Sequence, residues 1–177
     1  MSVRIRRAEP GDLDFLVELA THEDVEPFLG TRTARDLEAV LAEVERSLRE
    51  PQDVGSFVIE VEEDGGWRRA GSLEFQVENR RSRVARLGGL AIHPDFRGRH
   101  LADEAARRFQ RHLIFELGYH RLQLECYGFN ERAIRHAERA GFVREGVKRK
   151  AYWRHDRWND GVLFGLVRED VEGEGYS

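Results

Sequence analysis

The stretch Leu-Ala-Ile-His-Pro-Asp-Phe-Arg-Gly-Arg-His-Leu-Ala, residues 90–102, constrains this chain more than any other. An apolar run, Leu90-Ala91-Ile92, is stopped by Pro94. A short loop carrying Arg97, Gly98 and Arg99 then leads into a segment with Leu101, Ala105, Phe109 and Leu113 at helical spacing. Strand, basic glycine loop and helix start, in that order, make an anion site. The first N–H groups of a helix have no intrahelical acceptor, and they lie at the positive end of its dipole. A pyrophosphate is the kind of group such a site cradles, so a phosphorylated cofactor is expected here.

Around this centre, helix and strand patterns alternate. Residues 3–7 alternate apolar and charged, as a half-buried strand does. Pro10-Gly11-Asp12 opens a helix with Leu13, Leu16, Val17 and Ala20 on one face. A second helix is expected after Thr33, read as its N-cap, with a stripe of Leu37, Val40, Leu41, Val44 and Leu48 that Pro51 ends. Residues 57–61 and 70–77 flank Asp64-Gly65-Gly66 and read as an antiparallel hairpin. In the strand 84–92, Gly88-Gly89 marks a bulge, a close backbone approach or a simple kink. Gly118 suits the C′ position of the helix that follows the loop. Along residues 121–127, Leu122, Leu124 and Cys126 face one way, with Gln123, Glu125 and Tyr127 facing the other. Asn130 can cap a helix that Gly141 stops, and residues 142–148 and 162–167 read as two final strands. A single domain over 1–170 with a frayed tail at 171–177 is the expected organisation.

Arg97-Gly98-Arg99-His100-Leu101-Ala102 resembles the Arg/Gln-x-x-Gly-x-Gly/Ala pattern of the GNAT superfamily of N-acetyltransferases, with His100 in place of the central glycine. Asn130-Glu131-Arg132-Ala133, followed by Ala140-Gly141-Phe142, is similar to that family's later signature, Asn-x-x-Ala-x-x-x-Tyr-x-x-x-Gly-Phe. Residues 160–166 resemble the last strand of the branch holding ribosomal-protein and polyamine acetyltransferases. The resemblance runs from about Val3 to Val167. It implies an α+β fold in α/β/α layers: a mixed, mainly antiparallel sheet with helices on both faces and two splayed central strands. It also implies acetyl-coenzyme A as cofactor, held by Leu90, Ala91 and Ile92, by Arg97 to Ala102 (Arg97, Gly98, Arg99, His100, Leu101, Ala102), and by Asn130.

Composition agrees with a single soluble enzyme domain. The chain has 177 residues, 40% apolar and 35% charged, which is neither disordered nor membrane-like. No window approaches the ~20 apolar residues needed to span a bilayer. The charged N-terminus lacks the apolar core of a secretory signal. One cysteine, Cys126, excludes an internal disulfide framework and a multi-cysteine zinc site, so no metal is expected and the cytoplasm is the default. A net charge of −4 argues against a dedicated nucleic-acid binder. The basic run Arg80, Arg81, Arg83, Arg86 reads as a solvated hairpin loop. No membrane partner is expected, and a homodimer stays open.

Transfer from a thioester requires a neutral amine, whereas a lysine amine has a pKa near ~10.4 and an α-amine ~7.7–8.0. A general base must therefore take a proton. Leu124-Glu125-Cys126-Tyr127-Gly128-Phe129-Asn130 resembles the stretch of ribosomal-protein N-terminal alanine acetyltransferases in which a glutamate five residues before the asparagine is the base, and Glu125 holds that position. An exposed strand glutamate is the plain alternative, and Glu74 is the reserve candidate. The family's general acid, a tyrosine seven residues after the asparagine, is replaced by Ala137. Tyr127, Tyr152 or water is left as the thiolate's proton source. Trp153 and Trp158, in the connection 148–160, are expected to line the acceptor pocket together with residues 23–32, or else to pack as an ordinary hairpin. The function expected is acetyl transfer to a primary amine of a protein N-terminus, a polyamine or a small molecule, by direct attack. The alternative is a non-catalytic acetyl-coenzyme A sensor or regulatory module, and a nucleotide phosphotransferase is a weaker one.

Overall fold

Alternation of apolar and polar residues sets which face each strand buries. In the computed structural model, which describes residues 1–30 and 33–173, β1 (Val3–Arg7) pairs antiparallel with β2 (Val54–Glu63), placing Ile5 opposite Ile59. β2 in turn pairs antiparallel with β3 (Gly66–Asn79) across a turn at Asp64-Gly65, whose φ values are 52° and 75°. Positive φ at both turn residues matches the right-handed twist of the flanking strands. β4 (Val84–Ile92) and β5 (Arg121–Tyr127) are parallel, but only Val84–Arg86 pair, with Arg121–Gln123; the register ends there. β7 (Arg157–Val167) pairs antiparallel with both β5 and β6 (Val143–Arg154). The hydrogen-bonded order β1-β2-β3-β4-β5-β7-β6 makes a mixed, mainly antiparallel seven-stranded sheet, as expected.

The chain divides into two compact units, residues 1–77 with 87–109, and residues 78–86 with 110–177. In the first unit, α1 (Leu13–Thr21) and α2 (Leu37–Arg49) cover one sheet face through Phe15, Leu16, Leu19, Val40 and Val44, packed with Val58 and Ala91. The other face carries Phe57 and Phe75, whose rings lie 5.1 and 6.1 Å from that of Phe109 on α3 (Leu101–Arg111). Burying a side chain such as Phe109 stabilises by about 1.5–3 kcal/mol relative to leaving it exposed. A network of Arg6, Arg69 and buried Asp12 ties β1 and β3 to the start of α1.

Two expectations for α2 change. Its N-cap is Asp36, not Thr33, because the Asp36 carboxylate accepts the Ala39 N–H at 2.9 Å. Its buried stripe is also narrower, for Leu37 and Leu48 are exposed while Ser47 is fully buried. That serine is satisfied in the core, since its hydroxyl oxygen accepts from Arg7 and from the Ser56 N–H, both at 2.9 Å.

In the second unit, Asn130 caps α4 (Glu131–Arg139), its side chain accepting the Ala133 N–H at 3.2 Å. Gly141 follows at φ 89°, a conformation that stops the helix. The segment 148–160 is not a connection. It forms the two arms of the β6–β7 hairpin, closed at His155-Asp156 with φ values of 54° and 57°. Its turn chemistry was hidden because neither residue is glycine. α5 (Arg168–Gly173) runs into the segment read as a tail and buries Val171; residues 174–177 lie outside the described residues. Among the described residues no helix is long and apolar enough to cross a membrane.

Candidate functional site

The loop of the first unit is built from its anchors outward. His93 Nδ1 accepts the Asp95 N–H at 3.3 Å, the Arg97 N–H reaches the Pro94 carbonyl at 3.2 Å, and buried Phe96 pins the turn. Gly98 then adopts φ +77° and His100 φ +56°. The family's glycine position thus does require a left-handed residue, and a histidine meets that requirement. Glu104 N–H bonds the His100 carbonyl at 3.4 Å, which opens α3. The N–H groups of His100, Leu101, Ala102 and Asp103 precede the first intrahelical bond, so helix geometry offers them no acceptor within α3. Buried Leu101 and Ala105 hold this end in place, and nothing lies within 4 Å of a Cβ built on Gly98. A pyrophosphate therefore fits the helix start on both donor chemistry and room.

The loop arginines are tied to protein groups. Arg97 Nη2 donates to the Asp24 carbonyl at 2.8 Å, and Arg99 Nη1 to Glu63 at 3.0 Å. The Arg99 guanidinium also sits 5.4 Å from the Phe96 ring centroid.

β4 presents a second set of donors. The His93 N–H bonds the Ala70 carbonyl, the Gly89 carbonyl accepts from Ser72 Oγ, and the Ala91 carbonyl abuts Gly71. The backbone of residues 91 and 93 therefore faces β3. By alternation that of Leu90 and Ile92 faces away from β3. Of the apolar run, Leu90 and Ile92 turn their backbone groups away from β3, while Ala91 packs in the core beside α1 and α2. Gly89 has φ +59°, and a Cβ there would stand 2.5 Å from Glu74 Cδ. The paired glycines let the Glu74 side chain lie flat on β4.

Glu74 borders a cleft of about 410 Å³, counting its open mouth. Leu16, Leu29, Val40 and Ala91 form its apolar walls, with Thr33, Ser72 and Glu43 as further polar neighbours. Of the acceptor-pocket expectation on 23–32, Leu29 lines this cleft; residues 31 and 32 lie outside the described residues.

In the second unit, Glu125 is held from two sides. Its Oε1 accepts from Tyr152 Oη at 2.5 Å and its Oε2 from Lys148 Nζ at 3.0 Å. The hydrogen bond to Glu125 raises the Lys148 pKa, and burial followed by the same carboxylate raises that of Tyr152. Gly161 makes room, since a Cβ there would clash with Glu125 and Tyr152. Lys148 and Gly161 escaped the sequence reading because their register with β5 comes from β7, far along the chain. Burial first, then the Glu125 charge, pushes the Cys126 thiol up to about 12, which suits a buried apolar residue and not a nucleophile. Trp153 and Trp158 are directly opposite on the hairpin, 5.2 Å apart edge to face, and both are more than half exposed. Ala137 is 1% exposed on the inner side of α4, so no ring fits there without displacement.

The sequence model of the acetyltransferase (GNAT) domain family matches residues 2–143, and the chain belongs to this family. A SPbeta prophage-derived uncharacterized N-acetyltransferase, YokL, of Bacillus subtilis (strain 168) is 35% identical over 83 residues, 47% of each chain. The match thus spans about half the length of that curated relative. The spermidine N-acetyltransferase of Vibrio cholerae, solved in complex with CoA and spermine, superimposes with a TM-score of 0.85 at 19% identity, over 96% of this chain and 98% of that one. A chimera of the Vibrio cholerae enzyme, SpeG, with hSSAT gives 0.82 at 20% identity, over 97% and 99%. At such identities the likeness is one of fold.

Proposed function

We propose that this chain is an acetyl-coenzyme A-dependent N-acetyltransferase acting on a primary amine. The observation that carries this is the opening of α3. Three helix-start N–H groups, those of Leu101, Ala102 and Asp103, follow the left-handed residues Gly98 and His100, a short loop after a strand whose Leu90 and Ile92 backbones face away from β3. Acetyl-coenzyme A held at this helix start would supply an activated acetyl group for the acceptor nitrogen, with a thiolate as the leaving group. The helix start holds the pyrophosphate, with Arg97 and Arg99 adding positive charge beside it. Leu90 and Ile92 N–H groups are the donors for a carbonyl oxygen, an arrangement that matters most where negative charge develops. Asn130, while capping α4, is proposed to border the cofactor's pantetheine arm. Glu125 is the proposed proton acceptor, through the Oε2 that Lys148 also holds, with Tyr152 on Oε1 as a proton source. An intracellular, cytoplasmic setting, where acetyl-coenzyme A is made, fits this reading.

One observation favours a second reading, a cofactor sensor without turnover: a buried Ala137 stands where the family places its acid. Thiol release from acetyl-coenzyme A in the presence of an amine panel separates the two. Amine-dependent release supports the enzyme. Cofactor binding without release with any amine supports the sensor, and no binding at all overturns both.

A further inference from the structure

The proposed proton acceptor already holds an amine, and that amine belongs to the chain itself. We infer that Lys148 is an acetyl acceptor of this protein, so that the chain modifies its own β6 strand when an acetyl thioester is present and no other amine competes. The inference rests on the acetyltransferase reading with Glu125 as proton acceptor.

Composition singles this residue out. Lysine and arginine together number 29, yet only positions 148 and 150 are lysine. A guanidinium is not deprotonated in a protein, so the arginines offer no nucleophilic nitrogen. Of the two lysines, Lys148 is the one seated on a carboxylate, its Nζ 3.0 Å from Glu125 Oε2. Lys150 is exposed and engages Asp160 through its backbone N–H, at 2.8 Å.

The strand geometry explains the difference. Lys148 pairs with Gly161 and Tyr152 with Asn159, so four steps along β6 match two along β7. Arg149, Lys150 and Ala151 form the resulting bulge, with Lys150 at φ 53°. A regular antiparallel strand would hold positions 148 and 152 roughly 13–14 Å apart. The bulge instead sets them beside residues only two apart on β7, and both side chains reach Glu125, Lys148 at Oε2 and Tyr152 at Oε1. A Cβ at Gly161 would collide with that carboxylate, so the glycine leaves it room. The Lys148 side chain is 52% exposed, which keeps its nitrogen open to a reagent.

A general base must lie about 2.6–3.2 Å from the atom whose proton it takes, and Glu125 meets that distance to Nζ without movement. Nζ passes a proton to Glu125 Oε2 and bonds the carbonyl carbon of the thioester. The carbon–sulfur bond breaks and its electron pair leaves on the thiolate. Lys148 becomes a neutral amide, and its ion pair with Glu125 is lost. The hydrogen bond to Glu125 raises the Lys148 pKa, so acetylation that had to wait for a neutral amine would be slowed there. Preference for Lys148 over Lys150 is therefore a signature of proton transfer to Glu125.

The test incubates the full chain at about pH 8 with acetyl-coenzyme A and, separately, with S-acetyl-N-acetylcysteamine, a small acetyl thioester without phosphate. Intact mass gives the rate, and peptide fragmentation assigns the acetyl group to position 148 or 150. Lys148 should be acetylated at least tenfold faster than Lys150 by either reagent, at a rate independent of protein concentration because base and amine share one chain. Glu125→Gln should slow Lys148 about 10²-fold or more and leave Lys150 unchanged. Lys148→Arg should remove the modification. With no acetyl donor present, a nitrogen NMR titration should place Lys148 above the ordinary lysine value in the wild type and back toward it in Glu125→Gln. Equal labelling of both lysines, or an undiminished Lys148 rate in Glu125→Gln, overturns the inference. So does an unmodified Lys148 in a chain that acetylates free amines, which leaves the acetyltransferase reading standing. Labelling of Lys148 by the small thioester and not by acetyl-coenzyme A supports Lys148 as acceptor and overturns the cofactor reading instead.

Discussion

His100 shows how a single side chain can depart from a family pattern and keep its backbone. Left-handed φ costs a non-glycine residue on the order of 1–2 kcal/mol, and histidine tolerates it better than bulky apolar residues do. The ring itself is 88% exposed beside Asp103, so it contributes little packing in return. His100→Gly should therefore leave the fold intact and raise stability by up to about 1 kcal/mol, read as a higher denaturation midpoint with unchanged slope. A destabilised variant would mean that the ring does more than its exposure suggests. Glu125 poses the opposite question, a side chain with close partners and a proposed role in proton transfer. Glu125→Gln should lower kcat about 10²–10⁴-fold at pH 7, with the loss shrinking at high pH where the amine is already neutral. Stability hardly interferes. The Lys148 pKa is raised in the folded state, so its pairing stabilises fully below the ordinary lysine value of ~10.4 and fades as pH rises through the raised value. With Lys148 about half exposed, that pairing is worth less than about 1 kcal/mol. Wild-type kcat in Glu125→Gln would place the base elsewhere.

At the scale of elements, the helices end and begin where side chains satisfy backbone donors. The shift of the α2 cap from Thr33 to Asp36 is such a case. Both residues are good caps in isolation, and the choice fell to Asp36 because Thr33 lies by the cleft, its hydroxyl turned to Glu74. α4 decides another question. Restoring the family's acid with Ala137→Tyr looks attractive from the sequence, yet the site is 1% exposed and already filled. Inserting a ring there should cost about 1–3 kcal/mol and leave turnover no higher, measured by urea unfolding and thiol release in parallel. A faster, equally stable enzyme would show that α4 can yield. The β6–β7 hairpin carries Trp153 and Trp158 as a cross-strand aromatic pair, an arrangement that stabilises a sheet locally by about 0.2–1 kcal/mol. Their exposure fits hairpin packing at least as well as acceptor binding.

For the molecule as a whole, a ligand that binds only the folded chain raises its stability by mass action. At a hundred times Kd, acetyl-coenzyme A should add about 2.7 kcal/mol, an increase in Tm of roughly 5–10 °C for a chain of this size. Charge reversal at Arg97 or Arg99 should reduce that shift more than it reduces the Tm of the free protein, because the Arg99–Glu63 pair is partly exposed and contributes little to folding. An undiminished shift in both variants would assign phosphate binding to the backbone donors of α3 alone.

Much of this was legible in the chain because it is written locally. The Pro94 stop, the Arg97–Ala102 loop, the Asn130 cap and the hairpin at Asp64-Gly65 each depend on neighbours within a few residues, so sequence spacing determined them. The two carboxylates were visible as residues but not as sites. Glu74 lies flat against β4 only because Gly88 and Gly89 arrive beneath it from the next strand, and Glu125 acquires Lys148, Tyr152 and Gly161 from strands β6 and β7. Room for a side chain and the partner of a charge are properties of pairs distant in sequence, and chain folding alone brings such pairs together. The same holds for Ala137, whose small side chain reads as a missing acid in the sequence and as a filled core position in the fold.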